Sequence, residues 1–387
     1  MKRRFHRAFY ALMRILVAPY FATLGRYRWR VYRPKSSRYI VLTNHNTNYD
    51  FFLTGLSFRA HMYYVASEAI LRHGLGGRLV KLLSDPIPRK KGASGKDAAD
   101  EILRRLKNGS NVCMAVEGNR SFTGETGWIS PANAPLIRAS GAGLITYRIH
   151  GGYFASPRWS AQQRRGRIWG ELVREYTPSE LAAMTDAELT EAIRRDIYVN
   201  AYDDQAKHRY KYKGKAPAEH LETALFLCPE CKRFSTLHSA GATLRCEACG
   251  LSATYDDFGY LHAAPFETVL AWSDWQRAYL QDFLPTTRED CDRPIFSDSQ
   301  VRLYAVGHHA APLVEGSITL YPDRLCFSDG ARECAFPLRD ITHFSIYLTC
   351  NILFTAAGSY YEVKPQRPYS ALKYLICWRF LTGRDYR

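Results

Sequence analysis

Two short apolar runs, Tyr39-Ile40-Val41-Leu42 and Val112-Cys113-Met114-Ala115-Val116, each stop abruptly in a cluster of polar residues. Runs of this kind, separated by stretches with helical spacing, restrict the fold more than any other feature of the chain. Strands are predicted at 39–43, 62–66, 112–116 and 144–149, and helices at 51–58, 69–83, 95–107 and 132–139. This alternation builds an α/β domain, a mixed sheet flanked by helices, in which ligands bind beyond the carboxyl ends of the strands. The residues that follow those ends therefore bear on chemistry.

After the first run comes Thr43-Asn44-His45-Asn46-Thr47-Asn48-Tyr49-Asp50. A neutral imidazole takes up a proton near pH 7 if its other ring nitrogen is held in one tautomer, and Asp50 is placed to hold it. After the second run comes Glu117-Gly118-Asn119-Arg120-Ser121. Arg120 offers a planar fork of donors suited to phosphate, and Gly118 allows a ligand close to the backbone. Arg89, Lys90 and Lys91, after Asp85-Pro86-Ile87-Pro88, supply a second basic wall. For Lys90 and Lys91, solvated loop charge is an equal reading. Base, orienting acid and phosphate grip together point to acyl transfer onto a hydroxyl.

A histidine and an aspartate with four residues between them, followed some seventy residues later by Glu-Gly-x-Arg-Ser, resemble the glycerolipid acyltransferase superfamily, typified by the lysophosphatidate acyltransferases. The resemblance spans roughly 37–177. It implies that His45 deprotonates the acceptor hydroxyl for direct attack on an acyl thioester, and that Asp50 supports His45. It further implies that Glu117, Gly118 and Arg120, with the upstream basic segment, grip the acceptor's phosphate. Two departures stand out. Asn119 occupies the usual threonine position, and the family's Pro-rich strand is replaced by Gly141-Ala142-Gly143-Leu144-Ile145-Thr146-Tyr147-Arg148-Ile149. The second bears on which acceptor is used more than on the reaction.

Charge is unevenly placed. Residues 1–49 carry eleven Lys or Arg and no acidic residue, whereas the other 338 carry 42 basic and 37 acidic groups. The N-terminal stretch interleaves this charge with Phe5, Phe9, Leu12, Ile15, Leu16 and Val17. The apolar part, 8–24, falls short of the ~20 residues of a bilayer span and contains Arg14 and Pro19. Arg14 also interrupts any signal-peptide core, and no small-residue cleavage site follows. Residues 1–34 are expected to form two short helices broken at Pro19, lying in the membrane interface with Lys and Arg meeting anionic headgroups. The large aliphatic and aromatic content argues against a nucleic-acid arm. The expected place is the cytoplasmic face of the cell membrane, monotopic or peripheral, where acyl-CoA or acyl-carrier protein is at hand.

Cys228-Pro-Glu-Cys231 and Cys246-Glu-Ala-Cys249-Gly250 are two knuckles with fourteen residues between them. Four thiolates at this spacing close a tetrahedral site with no open position, the pattern of structural zinc. Iron could occupy the same cage, but zinc is the expected occupant, and no organic cofactor beyond the acyl donor is expected. The stretch resembles a zinc ribbon. Cys113, Cys291, Cys326, Cys334, Cys350 and Cys377 lack any spacing pattern and read as buried small hydrophobes.

The chain thus divides into 1–34, an acyltransferase domain at 35–215, the ribbon at 222–262, a helical connector at 263–299 and a β-rich region at 300–387. Thr177-Pro178 opens a helix containing Asp186 and Glu188, and 202–218 reads as an exposed linker. Val269, Trp272, Trp275, Tyr279 and Phe283 share one side of a helix. Beyond 300, six short strands (301–306, 317–321, 325–328, 341–348, 351–355 and 360–363) precede a helix at 370–381, an order similar to the pleckstrin-homology-like superfold. Such a region binds a lipid or a protein partner. The enzyme reading stands beside a membrane-docked scaffold acting through the ribbon and the C-terminal region, and beside a zinc-ribbon nucleic-acid binder, which draws on the net charge but is undercut by where that charge lies.

Overall fold

The computed structural model of the chain describes residues 2–72, 74–307 and 311–384. Met1–Lys90, Gly95–Arg158 and Gln163–Gly214 make one compact unit; Lys91–Ser94, Trp159–Gln162 and Lys215–Arg387 make a second.

The first unit is built on seven strands: β1 (Tyr27–Arg28), β2 (Tyr39–Thr43), β3 (Met62–Ser67), β4 (Ile87–Arg89), β5 (Asn111–Ala115), β6 (Gly143–His150) and β7 (Ile168–Tyr176). Their order across the sheet is β1-β7-β6-β2-β5-β3-β4. β6 and β7 pair antiparallel and every other pair is parallel, so the sheet is mixed as expected. All five residues of β2 are buried, which is why it reads as a continuous apolar run; a central parallel strand is covered on both faces. The helices are α1 (Lys2–Thr23), α2 (Asp50–Ser57), α3 (Glu68–Leu71), α4 (Gly74–Ser84), α5 (Lys96–Lys107), α6 (Asn133–Ser140), α7 (Gly152–Ala155), α8 (Pro178–Ala183), α9 (Asp186–Ile197) and α10 (Ala201–His208). Ala98, Ile102 and Leu106, four apart along α5, and Leu189, Ile193 and Ile197 of α9 join Ile40, Leu42, Val112 and Leu144 in one core.

Four expectations are corrected. The helix predicted at 69–83 is two, α3 and α4, with Gly74 at φ +46° where the second starts. The helix opened by Pro178 is also two, because Thr177–Glu180 and Thr185–Glu188 each close a capping box and so start α8 and α9 separately. The linker at 202–218 begins as α10, capped by Asn200, and Tyr202, Gln205 and Tyr212 are buried. There Tyr212 donates its hydroxyl to the Arg167 carbonyl at 2.8 Å.

The fourth concerns the N-terminus. α1 is one helix that runs through Pro19. A proline this close to a helix end costs one backbone bond, and packing on both sides of it holds the helix together. Upstream, Tyr10 donates to the Gly55 and Phe58 carbonyls, and Arg14 to those of Gly55 and Leu56. Downstream, the Phe21 ring lies 5.5 Å from Tyr49 and 5.9 Å from Phe52. Arg14, and Arg3 through the Asn108 and Gly109 carbonyls, thus turn toward the domain's own backbone, not outward as expected. Beside Lys2, Arg4 and Arg7, the helix shows Phe5, Leu12, Ile15, Leu16 and Tyr20 to solvent, Ile15 being 70% exposed. None of the described helices is long and apolar enough to cross a membrane.

The second unit holds a four-stranded sheet, β8 (Leu237–Ala240), β9 (Thr243–Cys246), β10 (Ser252–Tyr255) and β11 (Leu261–His262), in the order β11-β10-β9-β8. α11 (Val269–Thr286) follows, and its buried stripe is Val269, Trp272, Gln276, Leu280 and Leu284. Trp275, Tyr279 and Phe283, expected on that side, instead stack along a neighbouring face. Gln276 belongs in the buried stripe because its Oε1 accepts from the Phe226 and Leu227 N–H groups.

The rest is an antiparallel sheet of β12 (Phe296–Ala305), β13 (Val314–Leu320), β14 (Arg324–Ser328), β15 (Glu333–Pro337), β16 (Ile341–Tyr347), β17 (Asn351–Ala356) and β18 (Ser359–Pro365). Its order is β15-β14-β13-β12-β18-β17-β16, and α12 (Ala371–Leu381), capped by Ser370, comes last. β15 escaped the sequence reading because it is an edge strand with no fully buried residue. Cys113, Cys326, Cys350 and Cys377 are buried as expected; Cys291 and Cys334 are partly exposed, the latter on that same edge.

Candidate functional site

β2 lies between β5 and β6, so the loops leaving β2 and β5 emerge side by side at the carboxyl edge of the sheet. One carries His45 and the other Glu117. Asn44 pins the first loop: its side-chain amide donates to the Ile149 carbonyl at 2.8 Å and accepts from the Ile149 N–H at 2.7 Å, extending the β2–β6 ladder by one rung.

His45 Nδ1 lies 2.8 Å from Asp50 Oδ2. Asp50 opens α2, where helix polarity favours a carboxylate. It also accepts from the Asn46 N–H at 2.9 Å, the Thr47 N–H at 3.1 Å and the Thr47 hydroxyl at 2.5 Å. Four donors fix one buried acid, and that acid fixes the imidazole. With Nδ1–H given to Asp50, the basic lone pair of the neutral ring is on Nε2. The His45 side chain is 26% exposed, so a substrate reaches it from solvent.

Glu117 ties the two loops together. One oxygen accepts from the His45 N–H at 2.7 Å and the other from the Gly127 N–H at 2.6 Å. Burial pushes its carboxyl up to about 7, against the pull of these two donors. Ser121 adds a backbone bond to the His45 carbonyl at 3.1 Å. Gly118 turns with φ +68°, and a side chain there would meet open space, as a surface left clear for a ligand requires.

Arg120 lies across the same loops. Its Nε donates to the Asn46 carbonyl at 3.2 Å, Nη1 to Asn48 Oδ1 at 2.7 Å and Nη2 to the Ser156 carbonyl at 2.5 Å. Burial lowers its pKa. The guanidinium is therefore pre-oriented beside His45, held mainly by main-chain carbonyls. Arg148, which replaces part of the family's Pro-rich strand, donates to the Asp196 and Arg195 carbonyls and so finishes the last turn of α9.

His45, Asp50, Glu117, Gly118 and Arg120 are brought together as the sequence predicts. Arg89 and Lys90 stand at the end of β4, on the far edge of the sheet from β6. Lys91 belongs to the second unit, where the Tyr360 hydroxyl donates to its carbonyl at 2.6 Å. Asn44, Thr47, Ser156 and Gly127 were missed. Asn44 alone left a signal, a polar residue directly after a fully apolar strand.

Replacing Glu117 by glutamine leaves one of the two backbone donors facing an amide N–H₂. The expected cost is about 1–3 kcal/mol, read as a fall in Tm of several degrees with a parallel loss of turnover. An unchanged Tm would mean that the brace between the loops is unimportant.

In the second unit, the four sulfurs of Cys228, Cys231, Cys246 and Cys249 lie within 4.8 Å of one another. Two pairs are 3.6 and 3.8 Å apart, against about 3.8 Å for the edge of a tetrahedron with Zn–S near 2.3 Å. Lys232 and Gly250, each directly after a knuckle's second cysteine, take φ +58° and +82°. Main-chain N–H groups of Glu230, Cys231, Ala248 and Cys249 point at the sulfurs of Cys228 and Cys246. The donor set and its spacing fit a tetrahedral metal.

Residues 26–148, roughly a third of the chain, match the family model described as Acyltransferase. No curated protein matches the chain. Among solved structures, the chain is similar to the 1-acyl-sn-glycerophosphate (LPA) acyltransferase PlsC from Thermotoga maritima, at 20% identity over 52% of this chain and 80% of that one, with a TM-score of 0.43. It is also similar to the Vps36 N-terminal PH domain, at 17% identity over 24% of this chain and 80% of that one, with a TM-score of 0.20. The matched segment begins at β1, ends in β6 and contains both loops, with the His45–Asp50 pair on the first. That segment is the part of the chain that is similar to the Acyltransferase family.

Proposed function

We propose that the protein moves a fatty acyl group from acyl-CoA or acyl-carrier protein to the hydroxyl of a lysophospholipid such as 1-acylglycerol 3-phosphate. The observation that carries this reading is the His45–Asp50 contact at 2.8 Å beside a pre-oriented arginine, inside the acyltransferase segment. His45 Nε2 takes the acceptor's hydroxyl proton as the oxygen attacks the thioester carbonyl. Asp50 steadies the imidazolium that forms. When the tetrahedral intermediate collapses, the C–S bond breaks and the thiolate recovers the proton from His45. Arg120 receives the acceptor's phosphate by exchanging its side-chain partner Asn48 for phosphate oxygens, with Gly118 leaving the approach clear. Glu117 serves this clamp by bracing the loops. Zinc held by the four cysteines acts structurally, with no part in the transfer.

The protein works at the cytoplasmic face of the cell membrane, docked by apolar side chains. The outward residues of α1 support this, as do Leu75, Leu79 and Leu82, which recur at helical spacing along α4 and are strongly exposed, Leu75 at 83%. Changing these three leucines to serine should lower partitioning onto phosphatidylcholine vesicles by at least ~10²-fold. Flotation that is unaffected would move the docking surface elsewhere.

The reading is tested by mass spectrometry of the lipids formed from mixed lysophospholipids and acyl thioesters. Diacyl product with loss of free thioester is expected. Thioester hydrolysis without acylated lipid would rule out a lipid acceptor.

A further inference from the structure

A cleft of about 230 Å³ opens at the opposite edge of the same sheet from His45. It lies where β3 and β5 begin, and it is lined by Arg3 and Arg7 of α1, Arg59 and His61 before β3, and Ser110 and Asn111 at the start of β5. No carboxylate is among the described residues that line it. Arg3 is fixed at the rim by donating to the Asn108 and Gly109 carbonyls. Arg7 and Arg59 make no hydrogen bond or ion pair among the described residues. Ser110 is only 5% exposed, and its hydroxyl likewise has no hydrogen-bond partner among the described residues. The field inside is positive enough to register on His61: burial, then His6, Arg7, Arg3 and Arg105, pull its pKa down to about 4. Three guanidiniums and a hydroxyl converge on a small space with no counter-charge of the protein's own.

We infer that this cleft binds a phosphate group, that of an anionic phospholipid headgroup, as a second lipid site distinct from the catalytic one. The guanidinium forks suit phosphate oxygens, and the Ser110 hydroxyl can add a further donor. α1 argues for a lipid over a free ion. The helix is roughly 33 Å long, with Arg3 and Arg7 at the cleft and Phe21 against Tyr49 beside the catalytic loop. Its outward side is apolar between those ends. A helix lying flat in the interface holds both ends at headgroup depth, so a lipid phosphate at one end would fix the angle at which the catalytic loop meets the bilayer at the other.

The inference rests on the membrane docking proposed above, and the test separates the two. Flotation of the full-length protein is measured on phosphatidylcholine vesicles with and without phosphatidylglycerol. Binding to the neutral vesicles reads docking; the gain from phosphatidylglycerol reads the cleft. The Arg7→Lys/Arg59→Lys variant keeps every charge and loses the forks, so the gain should fall about ten-fold while neutral binding and acyl transfer in neutral micelles stay at wild-type levels. A variant that keeps the full gain overturns the site, because diffuse surface charge would then account for it. Inorganic phosphate at constant ionic strength reads the cleft without a membrane: Tm should rise by a few degrees for wild type and not for the variant. No rise in wild type also overturns the site. A rise in wild type with no gain from phosphatidylglycerol overturns the lipid source and assigns the cleft to free phosphate.

Discussion

His45→Ala is expected to lower acyl transfer by ~10²–10⁴-fold, the contribution of a positioned general base. The loss should fall on kcat, because the ring meets the acceptor's proton in the transition state and adds little to binding. Stability should barely change. The side chain is partly exposed, and the bond that braces its loop runs from the His45 backbone N–H to Glu117, which alanine retains. A companion Asp50→Asn variant separates orientation from basicity. An amide cannot accept from all of the four donors that converge on Asp50, and its N–H₂ would favour the wrong tautomer of His45. If His45→Ala turned over lysophospholipid near the wild-type rate, the base would have to be sought elsewhere.

The second large effect is expected at the cysteine cluster. Cys246 closes β9 and faces Cys231 at 3.8 Å, so a serine there should abolish the zinc binding proposed above and loosen the four-stranded sheet. Structural zinc contributes on the order of 10 kcal/mol to the folding of small domains, more than the short strands β8–β11 can replace by packing. Elemental analysis should find about one zinc per wild-type chain and almost none in Cys246→Ser, with amide exchange across 222–262 accelerated in step. Wild-type protein prepared without chelators that holds no zinc would refute the metal and leave four reduced thiols to explain.

The His45 end of the first unit was readable because its residues meet either within one turn or at the ends of neighbouring strands. His45 and Asp50 meet across one turn, and the two loops meet because β2 and β5 are adjacent strands with unmistakable apolar runs. What stayed hidden depends on partners distant in sequence. That Arg120 rests on the Ser156 carbonyl, or that Asn44 completes a rung with Ile149, follows only from the folded sheet. α1 shows the same limit differently. Both of its sides carry bulky apolar residues and arginines, so composition marked an interfacial helix without telling which side faces inward. The carbonyls of Gly55, Leu56, Asn108 and Gly109 decide it by claiming Arg14 and Arg3. The segment 202–218 was read as an exposed linker because its lysines and tyrosines are mixed; Tyr202 in α10 and Tyr212 beyond it are buried and anchor it.

The outward leucines and isoleucine of α1 carry a cost away from lipid. In plain buffer they form a greasy ledge that favours clumping, and the concentration of dispersed protein is capped accordingly. With the docking and acyl transfer proposed above, the amount of usable catalyst would track the available bilayer area more than the amount synthesised, so that a cell enlarging its membrane would also enlarge its capacity to make more.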